Sequence, residues 1–197
     1  TTVLAIHLGP ELAHAAVDRD GRIDLVAVGN KTAGMPVVVH LAPDGSIGIG
    51  ATTLGGGGDD LAGDDLLGQL ADTGTVRLGT RTLPGELVLA HLLAHLHALC
   101  VRVLDGLPDR VILVRTAGGP DEAVYADAAR QALIREAIVV DETRAWAALA
   151  AHGPRGLDPD LAGALGALYQ QRHGDAQTGP LPIVTREDLG ESEREPI

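Results

Sequence analysis

Apolar positions in the first half of the chain come in short runs broken by glycine, proline and aspartate, and in the second half they recur at helical spacing. Val3, Leu4, Ala5, Ile6 and Leu8 read as a buried strand that Gly9-Pro10 breaks. Leu12 to Val17 reads as a returning strand, and Asp20-Gly21 turns into a third, Ile23 to Val28. Gly29 to Gly34 is a polar loop. Met35 to Leu41 is a strand, Asp44-Gly45 a hairpin turn and Ile47 to Ile49 its return. Leu54 to Thr73 shows little structure, and Gly55–Gly58 with Asp59-Asp60 and Asp64-Asp65 reads as an exposed acidic loop. A phosphate cradle is rejected there: no lysine follows, no apolar strand closely precedes, and the aspartates repel phosphate. Weak binding of a divalent cation is the lesser reading of those aspartates.

Thr75 to Leu78 reads as a short strand, and Pro84 opens the longest helix, Gly85 to Leu104. Leu, Val and Ala cover most of that helix, so it is expected to be buried on several sides. His91, His95 and Arg102 form its polar stripe, and His91 and His95 stand at the i, i+4 spacing that can share a zinc ion. No third ligand is evident, and an ordinary polar face is the simpler reading. Asp105 to Pro108 punctuates the end. Arg110 to Val114 is a continuous apolar strand, Asp121 to Glu136 a helix, Ala137 to Val140 a strand, and Asp141 caps a helix to His152. This β-α-β-α run predicts parallel pairing. Asp158-Pro159 starts a last helix to about Arg172, in which Gly163 and Gly166 imply close backbone packing, since each costs about 1 kcal/mol relative to Ala. Gly174 to Ile197 reads as a mobile, Pro- and acid-rich tail.

Composition narrows the function classes. The formal net charge of −12 opposes nucleic-acid binding. Aromatics make up 2% of the chain and Phe is absent, so the core must be aliphatic. The Ala and Gly richness, and Lys31 as the only lysine, read as a bias of the source genome. Cys100 is the only cysteine and reads as a small core residue. The apolar run Leu87–Val101 is too short to span a bilayer, and no basic segment precedes the first apolar run. The expectation is one cytoplasmic domain of 197 residues, with no membrane and no nucleic-acid partner.

Several segments resemble the nucleotide-binding domain of DnaK-type heat-shock chaperones, within the actin-like ATPase superfamily. Ala5-Ile6-His7-Leu8-Gly9-Pro10-Glu11 sits in the frame of that family's Gly-Ile-Asp-Leu-Gly-Thr-Thr phosphate hairpin. Pro36, Asp44-Gly45 and Gly48 follow a similar loop, proline and turn. Leu83-Pro84-Gly85-Glu86, Val111 to Arg115 and Asp141 to Ala147 match, in order and spacing, its Ser-Pro-Glu-Glu helix start, its Val-Ile-Thr-Val-Pro strand and its Asn-Glu-Pro-Thr-Ala-Ala-Ala stretch. Asp158 to Gly166 is similar to the helix that closes the family's nucleotide domain. The resemblance covers about Val3 to Gln171 and only the first lobe. Gly153–Gly156 stands where the family has its second lobe, with the second phosphate loop and the adenosine-binding glycines.

The resemblance implies an actin-like ATPase (ribonuclease H-like) lobe: an α/β fold, a mixed sheet flanked by helices, with the second lobe absent. It divides the chain into a lobe over 1–173, with a smaller inserted subdomain at 30–80 and a closing helix at 158–172, and an acidic tail at 174–197. It also implies a degenerate site. The magnesium-orienting aspartate corresponds to His7, the phosphate-binding threonines to Pro10 and Glu11 beside Gly9, the catalytic lysine to Thr52, and the proline on the central strand to Arg115. Glu142 alone matches a functional family residue. His7 is a poor magnesium ligand, Pro10 has no N–H, and Glu11 carries the wrong charge. Phosphoryl transfer depends on positioned charge, so no ATP hydrolysis and no bound ATP or magnesium is expected. As bare residues, Gly9 reads as a hairpin turn and Glu142 as a first-turn acid. The leading expectation is a non-hydrolysing protein-interaction or regulatory module, meeting a partner or a second copy through the face the missing lobe leaves. The alternatives are an ATP-binding chaperone module whose second lobe was removed or is supplied in trans, and a small metal-binding protein using His91 and His95.

Overall fold

The computed structural model describes residues 1–30, 32–50, 59–62 and 65–174. Its main sheet takes β1 (Thr2–Leu8), β2 (Leu12–Arg19), β3 (Arg22–Val26) and the short β4 (Met35–Pro36) from the first part of the chain. From the second part it takes β10 (Arg110–Arg115) and β11 (Ala137–Asp141). The order is β11-β10-β1-β2-β3, with β4 added to β2. β1, β10 and β11 pair in parallel, whereas β2 pairs antiparallel with both β1 and β3, so β3 again runs with β1. The result is an α/β fold with a mixed sheet flanked by helices.

The two sheet faces differ in side-chain size. Leu4, Ile6, Leu8, Val111 and Leu113 alternate onto one face, packed with α2 (Gly85–Leu104) and α3 (Glu122–Gln131). Ala5, Ala16, Ile112 and Val114 form the other, under α4 (Glu142–His152) and α5 (Ala162–His173). Ala145, Ala164 and Ala167 complete that second layer. These five alanines have a positional role, because small side chains let two helices lie close to the sheet. Gly166 marks the tightest point: a Cβ there would come within 2.1 Å of the Ala145 carbonyl oxygen. α5 covers the second face and seals its apolar surface.

Between the two parts lie β5 (Val38–Leu41), β6 (Ile47–Ile49) and β7 (Asp59–Ala62), a separate sheet in the order β6-β5-β7. α1 (Leu66–Thr73) and the hairpin of β8 (Thr75–Leu78) and β9 (Arg81–Pro84) follow. Asp59–Ala62 and Leu66–Thr73 are thus more structured than expected. Asp59 and Asp60 belong to a strand, and Asp65 caps α1 by accepting the Gly68 N–H at 3.0 Å. Leu66, Leu67 and Leu70 drive that helix into the core, a spacing the neighbouring glycines and acids obscured. Gly55–Gly58, Asp64, Lys31, Thr52 and the tail beyond Gly174 lie outside the described residues.

Two other expectations are corrected. The helix after Asp121 ends at Gln131 rather than Glu136, because Leu133 and Glu136 take left-handed backbone (φ 57° and 49°) that turns Ile134 into the core. The apolar run judged too short for a bilayer sits within the 20-residue α2, which is long and apolar enough to cross one by length and composition. Here its Val88, Leu89, Leu92, Leu93 and Leu96 pack into the core instead. Cys100 is part of that face, and burial pushes its thiol up to about 12.

Candidate functional site

The parallel strands β1, β10 and β11 end on one side of the sheet, where open α/β sheets commonly bind ligands. A cavity of about 340 Å³ opens there. It gathers His7 from the end of β1, Gly9, Pro10 and Glu11 from the following turn, and Glu142 from the first turn of α4. Five of the residues singled out from sequence therefore meet around one cavity. Thr52 is outside the described residues. His91 and His95 lie away on α2, the first exposed and the second half-buried. No group of three or more His, Cys, Asp or Glu side chains able to hold a metal occurs among the described residues.

The hairpin turn is closed by its own backbone. The Gly9 N–H donates to the Leu12 carbonyl at 3.0 Å, and a Cβ on Gly9 would approach that oxygen to 2.8 Å. The Glu11 carbonyl accepts from the Val37 N–H at 2.8 Å. Gly9 has thus committed its amide, Pro10 has none, and Glu11 adds negative charge at the rim.

Beneath the turn, Glu142 is 5% exposed and accepts three hydrogen bonds. His7 Nε2 donates at 3.0 Å, the Ala117 backbone N–H at 2.6 Å and the Thr116 hydroxyl at 3.1 Å. The carboxylate sits at the positive end of α4, where Asp141 also accepts the Thr143 N–H at 2.9 Å. The N-terminus of α4, the ready-made anion site of such a fold, is thereby filled by the chain's own acids.

His7 can be assigned a tautomer. Its Nδ1 is buried with no hydrogen-bond partner. A proton there would be an unsatisfied buried donor, so the neutral ring carries its hydrogen on Nε2, facing Glu142. Burial holds the His7 pKa below its usual value of 6.5, against the opposing pull of Glu142. The pair is accordingly a neutral imidazole hydrogen-bonded to a carboxylate. Gly163 of α5 lies on this ring, and a Cβ there would come within 2.4 Å of Nδ1. The glycine expected to allow close packing packs against the candidate site itself.

No protein-family model and no curated protein matches the chain. The reading of the site therefore rests on its geometry.

His14, Thr116, Trp146 and Asp160 also line the cavity and were not singled out in sequence. His14 was legible in principle. Counting outward from the Pro10-Glu11 turn pairs it with His7, and directly opposed residues share a face. Trp146 follows Glu142 by four residues on one helix face. Thr116 and Asp160 carried no such signal.

The buried histidines give the fold an acid sensitivity. Burial also lowers the His14 pKa, with Asp160 and Asp158 acting against it. Below about pH 6.5 the unfolded chain binds protons that native His7 and His14 refuse, so stability falls with pH until the native rings also charge. Each contributes at most about 1.4 kcal/mol per pH unit. Urea midpoints at pH 7.5 and 5.5 are expected to differ in favour of 7.5, and the difference should shrink in His7→Gln. A midpoint higher at pH 5.5 would contradict this assignment.

Proposed function

We propose that this chain is a degenerate, non-hydrolysing relative of the nucleotide-binding lobe of DnaK-type chaperones, acting through protein contacts. The strand order β11-β10-β1-β2-β3, in which β2 alone runs against the other four, supports the actin-like assignment. Fold alone does not fix function, so the site carries the argument. The observation that carries this reading is the buried His7–Glu142 hydrogen bond of 3.0 Å, at the position where the resemblance would have a metal-orienting aspartate. No lysine or arginine lines the cavity among the described residues, so nothing there compensates a triphosphate. Leu12 and Trp146, 36% and 44% exposed, flank the opening and supply apolar surface for a protein partner or a second copy. The acidic charge opposes nucleic acid.

Thermal unfolding with and without millimolar magnesium-ATP tests this reading. No shift is expected. A ligand at 100 times its dissociation constant adds about 2.7 kcal/mol, which for this size is roughly 5–10 °C. A shift of that order would overturn the degenerate-site reading in favour of an ATP-binding module.

A further inference from the structure

We propose that the cavity beside β1 receives an arginine side chain from a basic partner protein. The inference rests on the protein-contact reading above and names the chemistry of that partner. Three carboxylates line the cavity: Glu142 at its base, already hydrogen-bonded, and Glu11 and Asp160 exposed at the rim. Acidic residues alone make no site. The independent observation is His14, 5% exposed in the cavity wall and without a hydrogen-bond partner among the described residues. A neutral imidazole left this way presents a lone pair that suits an N–H donor.

Trp146 adds an exposed indole at the rim, the only tryptophan of the chain. A planar guanidinium matches this set of groups. It donates several N–H bonds to carboxylates and to an imidazole nitrogen, stacks on an aromatic face, and is more weakly hydrated than an ammonium. The volume of about 340 Å³ falls in the range of small-ligand sites and accommodates such a side chain. An anion is disfavoured, since no cationic residue lines the cavity among the described residues. A metal ion is disfavoured as well, since no ligand group of three forms there among those residues. The net charge of −12 steers basic partners toward the chain.

The test titrates N-acetyl-arginine amide into the intact chain, reading Trp146 fluorescence and the His14 ring signals by NMR. A saturable change in both is expected. The double variant Glu11→Gln/Asp160→Asn alters only exposed side chains, and should keep the thermal midpoint while weakening binding about 5- to 10-fold. N-acetyl-lysine amide should bind more weakly, and inorganic phosphate should give no saturable change. Absence of a saturable response to the arginine probe, an undiminished response in the double variant, equal binding of the lysine probe, or saturable phosphate binding would each overturn the proposal. Failure here with no stabilisation by magnesium-ATP removes only the arginine assignment. Stabilisation by magnesium-ATP removes the degenerate-site reading itself.

Discussion

Gly166→Ala is expected to destabilise the protein by about 1–3 kcal/mol, although in an isolated helix the same change would favour the helix by about 1 kcal/mol. The sign follows from what the new methyl meets. At 2.1 Å from the Ala145 carbonyl oxygen it strikes the backbone of α4, which cannot rotate aside like a flexible side chain. Relief requires α4 and α5 to separate. That in turn loosens the small-residue layer of Ala145, Ala164 and Ala167 against the sheet. Gly174→Ala provides a contrast, because nothing lies within 4 Å of its Cβ position and its cost comes from a left-handed φ of 79°. Urea unfolding of both variants separates helix packing from backbone strain. A Gly166→Ala protein more stable than the parent would show that α4 and α5 are not in contact as described.

Glu142→Ala should cost about 2–4 kcal/mol, since a buried neutral donor left without its acceptor costs about 1–3 kcal/mol and two further donors are freed with it. Three donors lose their acceptor together: His7 Nε2–H, the Ala117 N–H and the Thr116 hydroxyl. Thr116 is half-buried and can turn toward water, and the Ala117 N–H is near the surface, so most of the loss falls on His7. Glu142→Gln keeps the volume and one carbonyl oxygen, and its cost should stay within about 2 kcal/mol. The amide NH₂ would then oppose His7 Nε2 and force the ring's hydrogen onto Nδ1, under Gly163 with no acceptor. Denaturant midpoints of the two variants should rank Ala well below Gln. Equal, small losses would mean that the carboxylate is not the hub of these bonds.

β1, β2, β10 and the long helices were legible because their patterns are uninterrupted, whereas β7 and β9 were not. β1 and β10 are continuous apolar runs, and α2 is bounded by Pro84 and Asp105 where the sequence expects it. Gly163 and Gly166 signalled tight packing, and the structure assigns each its neighbour. The stop of α3 was hidden, since no glycine or proline marks Leu133, and α1 was masked by the acids and glycines around it. At the site, the chain frame located His7, Gly9, Pro10, Glu11 and Glu142. It did not reveal that His7 and Glu142 bond to one another, because 135 residues separate them. Thr116 and Asp160 joined the cavity only through tertiary packing, whereas His14 follows from the hairpin register opposite His7.

The proposed loss of nucleotide chemistry turns on a neutral His7 hydrogen-bonded to Glu142. Long-range ¹H–¹⁵N NMR of the His7 ring at pH 7, recorded before and after addition of magnesium-ATP, tests it most directly. The account predicts the Nε2–H tautomer with unchanged nitrogen shifts. An imidazolium, the Nδ1–H tautomer, or a ring that responds to magnesium-ATP would contradict it.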